Sequence, residues 1–191
     1  MTGQTATARP RIVLVTGFMA AGKTAVGEAL AARLACPFVD LDRLVTERTG
    51  RTPQVHIDED GEAAFREVET RALREVLSEV REGADASESF TKPRLVVALG
   101  GGAWTLERNR ALARDARALT VWLDAPFELC WRRIAAEGAG SRPLARERES
   151  ARALHAARRG AYALAALRVE AGEDKSVEDL AAEIAAAAGC C

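Results

Sequence analysis

The sequence predicts a three-layer α/β fold, in which a parallel β-sheet is flanked by helices. Short runs of β-type residues alternate with longer helical patterns, and this alternation is typical of successive βαβ units. The first apolar run, residues 12–15, leads directly into a loop bounded by glycines and then into a helical pattern. The length of 191 residues suits a single domain with a substantial hydrophobic core.

The individual elements follow from hydrophobic periodicity and from turn residues. Five strands are predicted, at residues 12–16, 37–40, 95–99, 119–123 and 167–170. Seven helices are predicted, near residues 22–35, 41–49, 61–81, 106–115, 126–137, 149–164 and 177–188. In the first helix, Val26, Leu30 and Leu34 recur every four residues and form an apolar face. Ser176 and Asp179 are spaced nearly as in a capping box, which supports a helix start there.

A phosphate-binding motif follows the first strand. Residues 17–24 read GFMAAGKT and match G-x-x-x-x-G-K-[ST]. Between a strand and a helix, the amides of such a loop and the helix N-terminus converge and favour negative charge. Lys23 suits the outer phosphates of a nucleotide and the Thr24 hydroxyl suits Mg²⁺, whereas an ordinary turn would need neither. The predicted nucleotide-contacting residues are Gly17, Ala20, Ala21, Gly22, Lys23, Thr24 and Ala25.

Composition and charge argue against several functional classes. A hydrophobic share of 48% and a charged share of 29% are typical of globular proteins. The net charge of −1 gives no reason to expect nucleic acid or a membrane as a partner. No apolar stretch approaches the roughly 20 residues of a membrane span. The polar segment 1–10 is predicted to be a disordered tail rather than a signal peptide.

The cysteines and histidines do not suggest a structural metal site. Cys36 and Cys130 are isolated in apolar surroundings, and the sequence contains no C-x-x-C pair. His56 and His155 are also isolated. We therefore expect no zinc site and no disulfide framework, and we expect a reducing, cytoplasmic compartment.

Two acidic residues end the second strand. Asp40 and Asp42 are two residues apart, so along a strand they would face the same side, at the edge where parallel sheets bind ligands. One carboxylate could hold the water shell of a metal ion and the other could accept a substrate hydroxyl proton, although Asp42 could instead cap the next helix. Asp124 also ends a strand, but Pro126 follows it, which indicates a turn or cap. We favour Asp40 as the metal partner.

Glycines and arginines complete the candidate site. Gly100, Gly101 and Gly102 follow a buried strand, where they could offer bare amides to a ligand or form a flexible turn. A planar guanidinium suits bidentate binding of carboxylate or phosphate. Candidates are Arg66, Arg142, Arg158 and Arg159, but the sequence does not show where they point, and Arg66 could form surface pairs with its helical neighbours Glu62 and Glu69.

Two polar segments interrupt the alternation of strands and helices. Residues 82–93 read as a solvated surface loop. Residues 137–148 are rich in glycine and arginine, which is typical either of a linker or of a mobile lid that closes over phosphates.

Together these segments resemble the shikimate kinase family of small P-loop kinases, from about residue 11 to residue 188. The resemblance is carried by GFMAAGKT, FVDLD, GEAAFREVE, ALGGG, WLDAPFE, SRPLA and RRGAY, in this order and spacing. It implies a sheet ordered 2-3-1-4-5 in one domain, 11–188, with a substrate-binding helical segment near 42–75, a lid near 137–150 and a tail at 189–191. It also implies transfer of the ATP γ-phosphate to a hydroxyl of shikimate, a cyclic trihydroxy carboxylic acid.

The resemblance assigns the substrate side of the site. Asp42 would bind the substrate hydroxyls and orient or deprotonate the attacking one. Arg66 and Arg158 would bind the carboxylate, and the backbone amides of Gly101 and its two glycine neighbours would contact the substrate.

The resemblance also assigns the nucleotide side. Lys23 would bridge the β- and γ-phosphates, and Thr24 would ligate Mg²⁺ with Asp40 behind a water. Arg142 would move in with the lid to meet the transferring phosphate. Lys175 falls where the family contacts adenine.

Four departures from the family pattern are visible. Ala20 replaces a common loop glycine, and Ala25 replaces a second hydroxyl after Thr24. Residues 160–161 are Gly-Ala in place of Pro-Leu, and residues 54–57 differ from the usual substrate-side helix. The last two bear on the substrate pocket rather than on the class of reaction.

Two other functions are compatible with the motifs. Another small-metabolite kinase, such as a gluconate kinase, would share the P-loop and lid, but would not need the ALGGG turn together with DLD and both arginines. A regulatory module would bind ATP without phosphorylating an acceptor. The expected partner is a small-molecule substrate, and the chain is expected to be a monomer.

Overall fold

The computed structural model describes residues 10–82, 93–136 and 147–189. These residues form one five-stranded parallel sheet in the order β2-β3-β1-β4-β5. The strands are β1 (Ile12–Thr16), β2 (Phe38–Asp40), β3 (Leu95–Ala98), β4 (Leu119–Asp124) and β5 (Leu167–Glu170). In the central strand, Leu14 lies in register with Val97 on one side and with Thr120 on the other. The predicted strand order is confirmed, and the strand bounds agree within one residue.

The described residues also form eight α-helices and a 3₁₀ turn at Ala103–Thr105. The helices are α1 (Lys23–Leu34), α2 (Leu41–Thr49), α3 (Pro53–Asp60), α4 (Glu62–Glu82), α5 (Glu107–Asp115), α6 (Phe127–Ala136), α7 (Arg148–Tyr162) and α8 (Val177–Ala187). Seven correspond to predicted helices. The capping box at Ser176 and Asp179 is formed by both of its hydrogen bonds.

α3 is the helix that is missing from the sequence prediction. Only His56 of its eight residues is buried, so the segment has no apolar periodicity to read. A start signal is nevertheless present, because the Thr52 side chain accepts a hydrogen bond from the Val55 amide and Pro53 occupies the first turn. His56 Nε2 lies 3.0 Å from Thr49 Oγ1, which ties α3 to the end of α2.

The sheet positions the functional loops at one edge. β1 is buried along its whole length, and its hydrophobic run continues into the core formed with α1 and α8. Because β1, β2 and β3 are parallel, their carboxyl ends lie together. The phosphate-binding loop, Asp40 and the glycine triplet 100–102 are therefore neighbours.

Several predicted segments lie wholly or mostly outside the described residues. These are the tail at 1–10, the loop at 82–93, the lid at 137–150 with Arg142, and the tail at 189–191. The single-domain boundary 11–188 stays a prediction. Among the described residues, none of the helices combines the length and the apolar character that crossing a bilayer requires.

Candidate active site

The phosphate-binding loop leads from β1 into α1 through left-handed backbone. Gly17 has φ 142° and Gly22 has φ 97°. A Cβ on Gly17 would stand 2.6 Å from the Leu123 carbonyl oxygen, so only glycine fits there. Gly22 is the N-cap of α1 and offers no side chain to the first-turn amides, which leaves those donors for an anion. This geometry fits the predicted phosphate site.

Ala20 adopts a left-handed backbone conformation in this loop. Its φ is 58°, in a region that costs a residue with a Cβ about 1 kcal/mol. Arg133 from α6 donates a hydrogen bond to the Ala20 carbonyl at 3.0 Å, and this contact helps to hold the turn. Lys23 Nζ donates to the Phe18 carbonyl at 2.9 Å across the same loop.

A cavity of about 410 Å³ opens beside this loop. Its wall comprises Ala20, Gly22, Lys23, Thr24, Ala25, Asp40, Asp42, Leu99, Arg133 and Val177. Arg133 has no place in the sequence prediction, because nothing local in α6 distinguishes it from its neighbours. Lys175 does not line the cavity, although its near neighbour Val177 does, and Lys175 donates to Glu183 at 2.7 Å. Its predicted adenine contact stays a prediction.

The Thr24 hydroxyl and Asp40 form a direct pair. Thr24 Oγ1 donates to Asp40 Oδ2 at 2.7 Å, so the hydroxyl lone pairs remain available for a cation. The other Asp40 oxygen accepts a hydrogen bond from the Arg43 amide and caps α2. Among the described residues, no group of three or more His, Cys, Asp or Glu side chains forms a metal site. A single hydroxyl and carboxylate beside phosphates suit Mg²⁺, which takes few protein ligands.

Asp124 accepts hydrogen bonds from two arginines instead. Arg159 binds it bidentately, with Nη1 donating to Oδ1 at 2.7 Å and Nη2 donating to Oδ2 at 3.1 Å. Arg168 Nε donates to Oδ2 at 2.8 Å. The sequence interpretation of Asp124 as a turn or capping residue therefore misses its partners, which lie far along the chain. The preference for Asp40 over Asp124 as the metal partner stays a prediction.

A second cavity, of about 600 Å³, adjoins the first. It is lined by Met19, Thr24, Asp40, Asp42, Thr52, Pro53, Gln54, Ile57, Phe65, Arg66, Glu69, Gly100, Gly101, Gly102 and Arg158. Three of these residues, Thr24, Asp40 and Asp42, also line the nucleotide-side cavity. The two cavities thus meet at the acidic pair, and we call the larger one the acceptor cavity. All the predicted substrate-side residues lie in its wall.

Arg66 is a buried guanidinium rather than a surface partner. Its Nη1 donates to Glu69 Oε2 at 2.8 Å and its Nη2 donates to Glu62 Oε1 at 2.8 Å. Burial alone would lower the pKa of Arg66, but the two carboxylates outweigh burial and raise it. The pairs with Glu62 and Glu69 that the sequence predicts are both formed, but they hold the Arg66 guanidinium in the wall of the acceptor cavity rather than at the protein surface.

Glu69 is a site residue that the sequence did not identify. Its side chain is 0% exposed, and Oε1 has no hydrogen-bond partner among the described residues. Burial, opposed by Arg66 and reinforced by the charge of Asp42, raises the pKa of Glu69 to about 7. Its spacing from Arg66 was visible, but its burial depends on the packing of α4 against the glycine triplet.

Arg158 reaches the acceptor cavity from α7. It is buried, and its Nη2 lies 3.7 Å from Glu62 Oε1, so Glu62 stands beside both cavity arginines. One turn later, the Tyr162 hydroxyl donates to the Gly101 carbonyl at 2.5 Å. Burial raises the pKa of Tyr162 to about 12, so this hydroxyl keeps its proton. α7 is thereby joined to the glycine triplet.

The glycine triplet lets side chains approach its backbone closely. A Cβ on Gly100 would stand 2.7 Å from Asp42 Oδ1, and one on Gly102 would stand 2.5 Å from Arg66 Cζ. One on Gly101 would stand 3.3 Å from the Met19 amide nitrogen. The absence of side chains at these positions makes room for the acid on one side and the guanidinium on the other. A merely flexible turn would not require this.

Known proteins similar to this chain were found by sequence and by structure. A family model described as shikimate kinase matches residues 19–188. A shikimate kinase of Geobacter sulfurreducens is 42% identical over 178 residues, covering 92% of this chain and 89% of that protein. A solved shikimate kinase of Acinetobacter baumannii, in complex with shikimate, matches with a TM-score of 0.78 at 31% identity, covering 93% of this chain and 92% of that one. A gluconokinase of Sinorhizobium meliloti 1021 matches with a TM-score of 0.61 at 16% identity, covering 95% and 92%, and this likeness concerns the fold alone.

Proposed function

The chain belongs to the shikimate kinase family, and we propose that it transfers the γ-phosphoryl group of ATP to a hydroxyl of shikimate, in the pathway to chorismate and aromatic amino acids. The observation that carries the proposal is the meeting of two cavities at Asp42. One cavity is lined by residues of the phosphate-binding loop, and the other is lined by two buried arginines. The Asp42 carboxylate lies at the edge that the two cavities share.

On the acceptor side, the proposal assigns the carboxylate of shikimate to Arg66 and Arg158. Two guanidinium groups suit a carboxylate because each can donate two hydrogen bonds in one plane. Asp42 accepts a hydrogen bond from the attacking hydroxyl, and the bare backbone of Gly101 contacts the ring substituents. The exposed Glu62 and the buried Glu69 both bind Arg66 and hold it in place before the substrate arrives.

On the nucleotide side, the loop amides of residues 17–22 and Lys23 hold the β- and γ-phosphates. Thr24 would hold Mg²⁺ directly and Asp40 would hold it through a water. A Mg²⁺ ion held there would supply neutralisation of the negative charge of the phosphates. Arg142, which lies outside the described residues, and Lys175 keep their proposed roles at the transferring phosphate and at adenine.

The reaction then requires positioning more than strong base catalysis. The oxygen of the shikimate hydroxyl attacks the γ-phosphorus, the bond from that phosphorus to the β–γ bridging oxygen breaks, and ADP leaves. Asp42 orients the hydroxyl and accepts its proton as the new bond forms. Lys23 stabilises the charge that gathers on the phosphoryl oxygens.

The remaining features of the proposal concern partners and location. We propose a monomer that acts on a small molecule in the cytoplasm. The net charge of −1, with arginines spread among glutamates, is consistent with the absence of a nucleic-acid or membrane partner.

The proposal is tested by an acceptor screen. ADP release is measured with shikimate, with gluconate, with nucleoside monophosphates, and with the methyl ester of shikimate as the matched control. We expect turnover with shikimate and a much higher KM for the ester, because the ester cannot form charge-assisted bonds to the arginines. Turnover of another acceptor without turnover of shikimate would refute the proposal, and ATP binding without any turnover would favour a regulatory module.

The metal assignment predicts different effects for two aspartates. Asp40→Asn should raise the Mg²⁺ concentration needed for half-maximal turnover by about 10- to 100-fold, as outer ligand partners commonly do. Asp124→Asn should leave that concentration unchanged, although it weakens two ion pairs. Mg²⁺ titrations of kcat on both folded variants give the comparison. The reverse ranking would reassign the metal partner to Asp124.

The buried Glu69 predicts a specific dependence of stability on pH. Its folded pKa of about 7 exceeds the ordinary 4.5, so the folded state binds this proton more tightly than the unfolded state. This contribution to stability is complete below pH 4.5 and is lost as the pH rises through 7. Relative to Glu69→Gln, the wild-type free energy of unfolding should therefore fall by about 1–3 kcal/mol across that window.

Urea unfolding at a series of pH values measures this difference. Glu67→Gln, on the exposed part of the same helix, is the matched control and should follow the wild-type curve. Parallel curves for wild type and Glu69→Gln would show that Glu69 does not titrate in this window.

A further inference from the structure

The last turn of α7 contains a residue that weakens it. Gly160 lies within the helix, and a Cβ built there would meet nothing within 4 Å. Glycine destabilises a helix relative to alanine because it loses more backbone freedom on folding. Arg158 therefore projects into the acceptor cavity from a turn with little intrinsic rigidity.

The neighbouring Arg159 attaches the same turn to the sheet. It binds the buried Asp124 at the end of β4 with two hydrogen bonds, at 2.7 and 3.1 Å. Arg168 of β5 binds the same carboxylate at 2.8 Å. Both guanidinium groups stack over the Trp122 ring, at 5.0 and 5.3 Å from its centre. We call these four residues, Trp122, Asp124, Arg159 and Arg168, the Asp124 brace.

The Asp124 brace is linked to the acceptor cavity by direct contacts. The Trp122 ring lies 6.1 Å from the ring of Tyr162, and the Tyr162 hydroxyl binds the Gly101 carbonyl. Arg158 stands 3.7 Å from Glu62, which is too far for a hydrogen bond, but its side chain is hydrogen-bonded to Tyr162 in the last turn of α7. The orientation of Arg158 therefore depends on the last turn of α7, which the next residue, Arg159, attaches to the sheet through Asp124.

We propose that Arg159 is a positioning residue, which fixes the last turn of α7 through Asp124 and so orients Arg158 toward the carboxylate of the acceptor. The inference rests on the proposed function, because Arg158 is assigned to that carboxylate there. Arg159 contacts neither the acceptor cavity nor the nucleotide-side cavity. Its effect should therefore appear in acceptor binding and not in the handling of ATP.

The test compares KM values in a set of variants. Arg159→Ala should raise the KM for shikimate about tenfold and change kcat and the KM for ATP by less than about twofold. Arg159→Lys keeps the charge but loses the bidentate geometry, so its KM should be intermediate. Arg152→Ala on the same helix, which loses the exposed pair with Glu128 and the stacking over Phe127, should leave the KM for shikimate unchanged.

A second substitution separates positioning from general stability. Adding Gly160→Ala to Arg159→Ala should rigidify the turn and bring the KM for shikimate back toward the wild-type value. An Arg159→Ala variant with a lowered Tm but an unchanged KM would overturn the inference. A restored Tm without any recovery of KM would overturn it as well.

Hydrogen exchange gives a readout that does not depend on the acceptor. The amides of residues 161–163 should exchange faster in Arg159→Ala than in wild type, and unchanged exchange would overturn the inference. Failure of wild type to phosphorylate shikimate would instead refute the proposed function. The two failures are thus distinguishable.

Discussion

Asp42→Asn is expected to lower kcat for shikimate phosphorylation by about 10²- to 10⁴-fold, the range typical of general base catalysis. Asp42 lies in the first turn of α2, and it lines both cavities. Asparagine has the same shape, but its amide cannot take up the hydroxyl proton and carries no negative charge. The affinity for ATP should be nearly unchanged, because the phosphates are bound by the loop and Lys23.

Steady-state kinetics and calorimetric binding of ATP measure the two parts of this expectation. Asp60→Asn is the matched control, since Asp60 pairs with Arg51 and His56 outside the acceptor cavity. It should retain kcat within about twofold. If Asp42→Asn raised only the KM for shikimate and kept kcat, Asp42 would bind the hydroxyls without assisting their deprotonation or alignment.

The sequence predicts the parts of this fold that depend on local patterns. Parallel strands buried on both faces read as continuous apolar runs, and the run at 12–15 followed by GFMAAGKT fixes both β1 and the loop after it. Such patterns do not predict α3, because this helix lies at the surface of the cavity and buries only His56. Its start signal, Thr52-Pro53, is brief and is easily read as a turn.

The parts of the site that escape prediction depend on long-range packing. Glu69 is visible as a helical neighbour of Arg66, but its burial requires the glycine triplet some thirty residues away. Asp124 is visible at the end of β4, but Arg159 and Arg168, which decide its role, are 35 and 44 residues distant. A sequence gives the type of such groups, whereas tertiary structure decides whether a charge is solvated, paired or presented to a ligand.

The second prediction with a large expected effect concerns the glycine triplet. Gly102→Ala should raise the KM for shikimate about 100-fold, because disrupting a buried charge contact commonly costs 2–5 kcal/mol. The added methyl group would stand 2.5 Å from Arg66 Cζ, so the guanidinium would have to leave its position between Glu62 and Glu69. Gly102 has φ −106°, which alanine adopts readily, so the effect arises from space rather than from backbone strain.

Kinetics with shikimate and with ATP, combined with thermal unfolding, measure the effect. Gly160→Ala adds the same methyl group where nothing lies within 4 Å, and it should leave the KM for shikimate at or below the wild-type value. The KM for ATP should be similar in both variants, because neither glycine lines the nucleotide-side cavity. A folded Gly102→Ala protein with an unchanged KM for shikimate would mean that the carboxylate is bound without Arg66 in its original position. The acceptor would then have to be held by Arg158 alone.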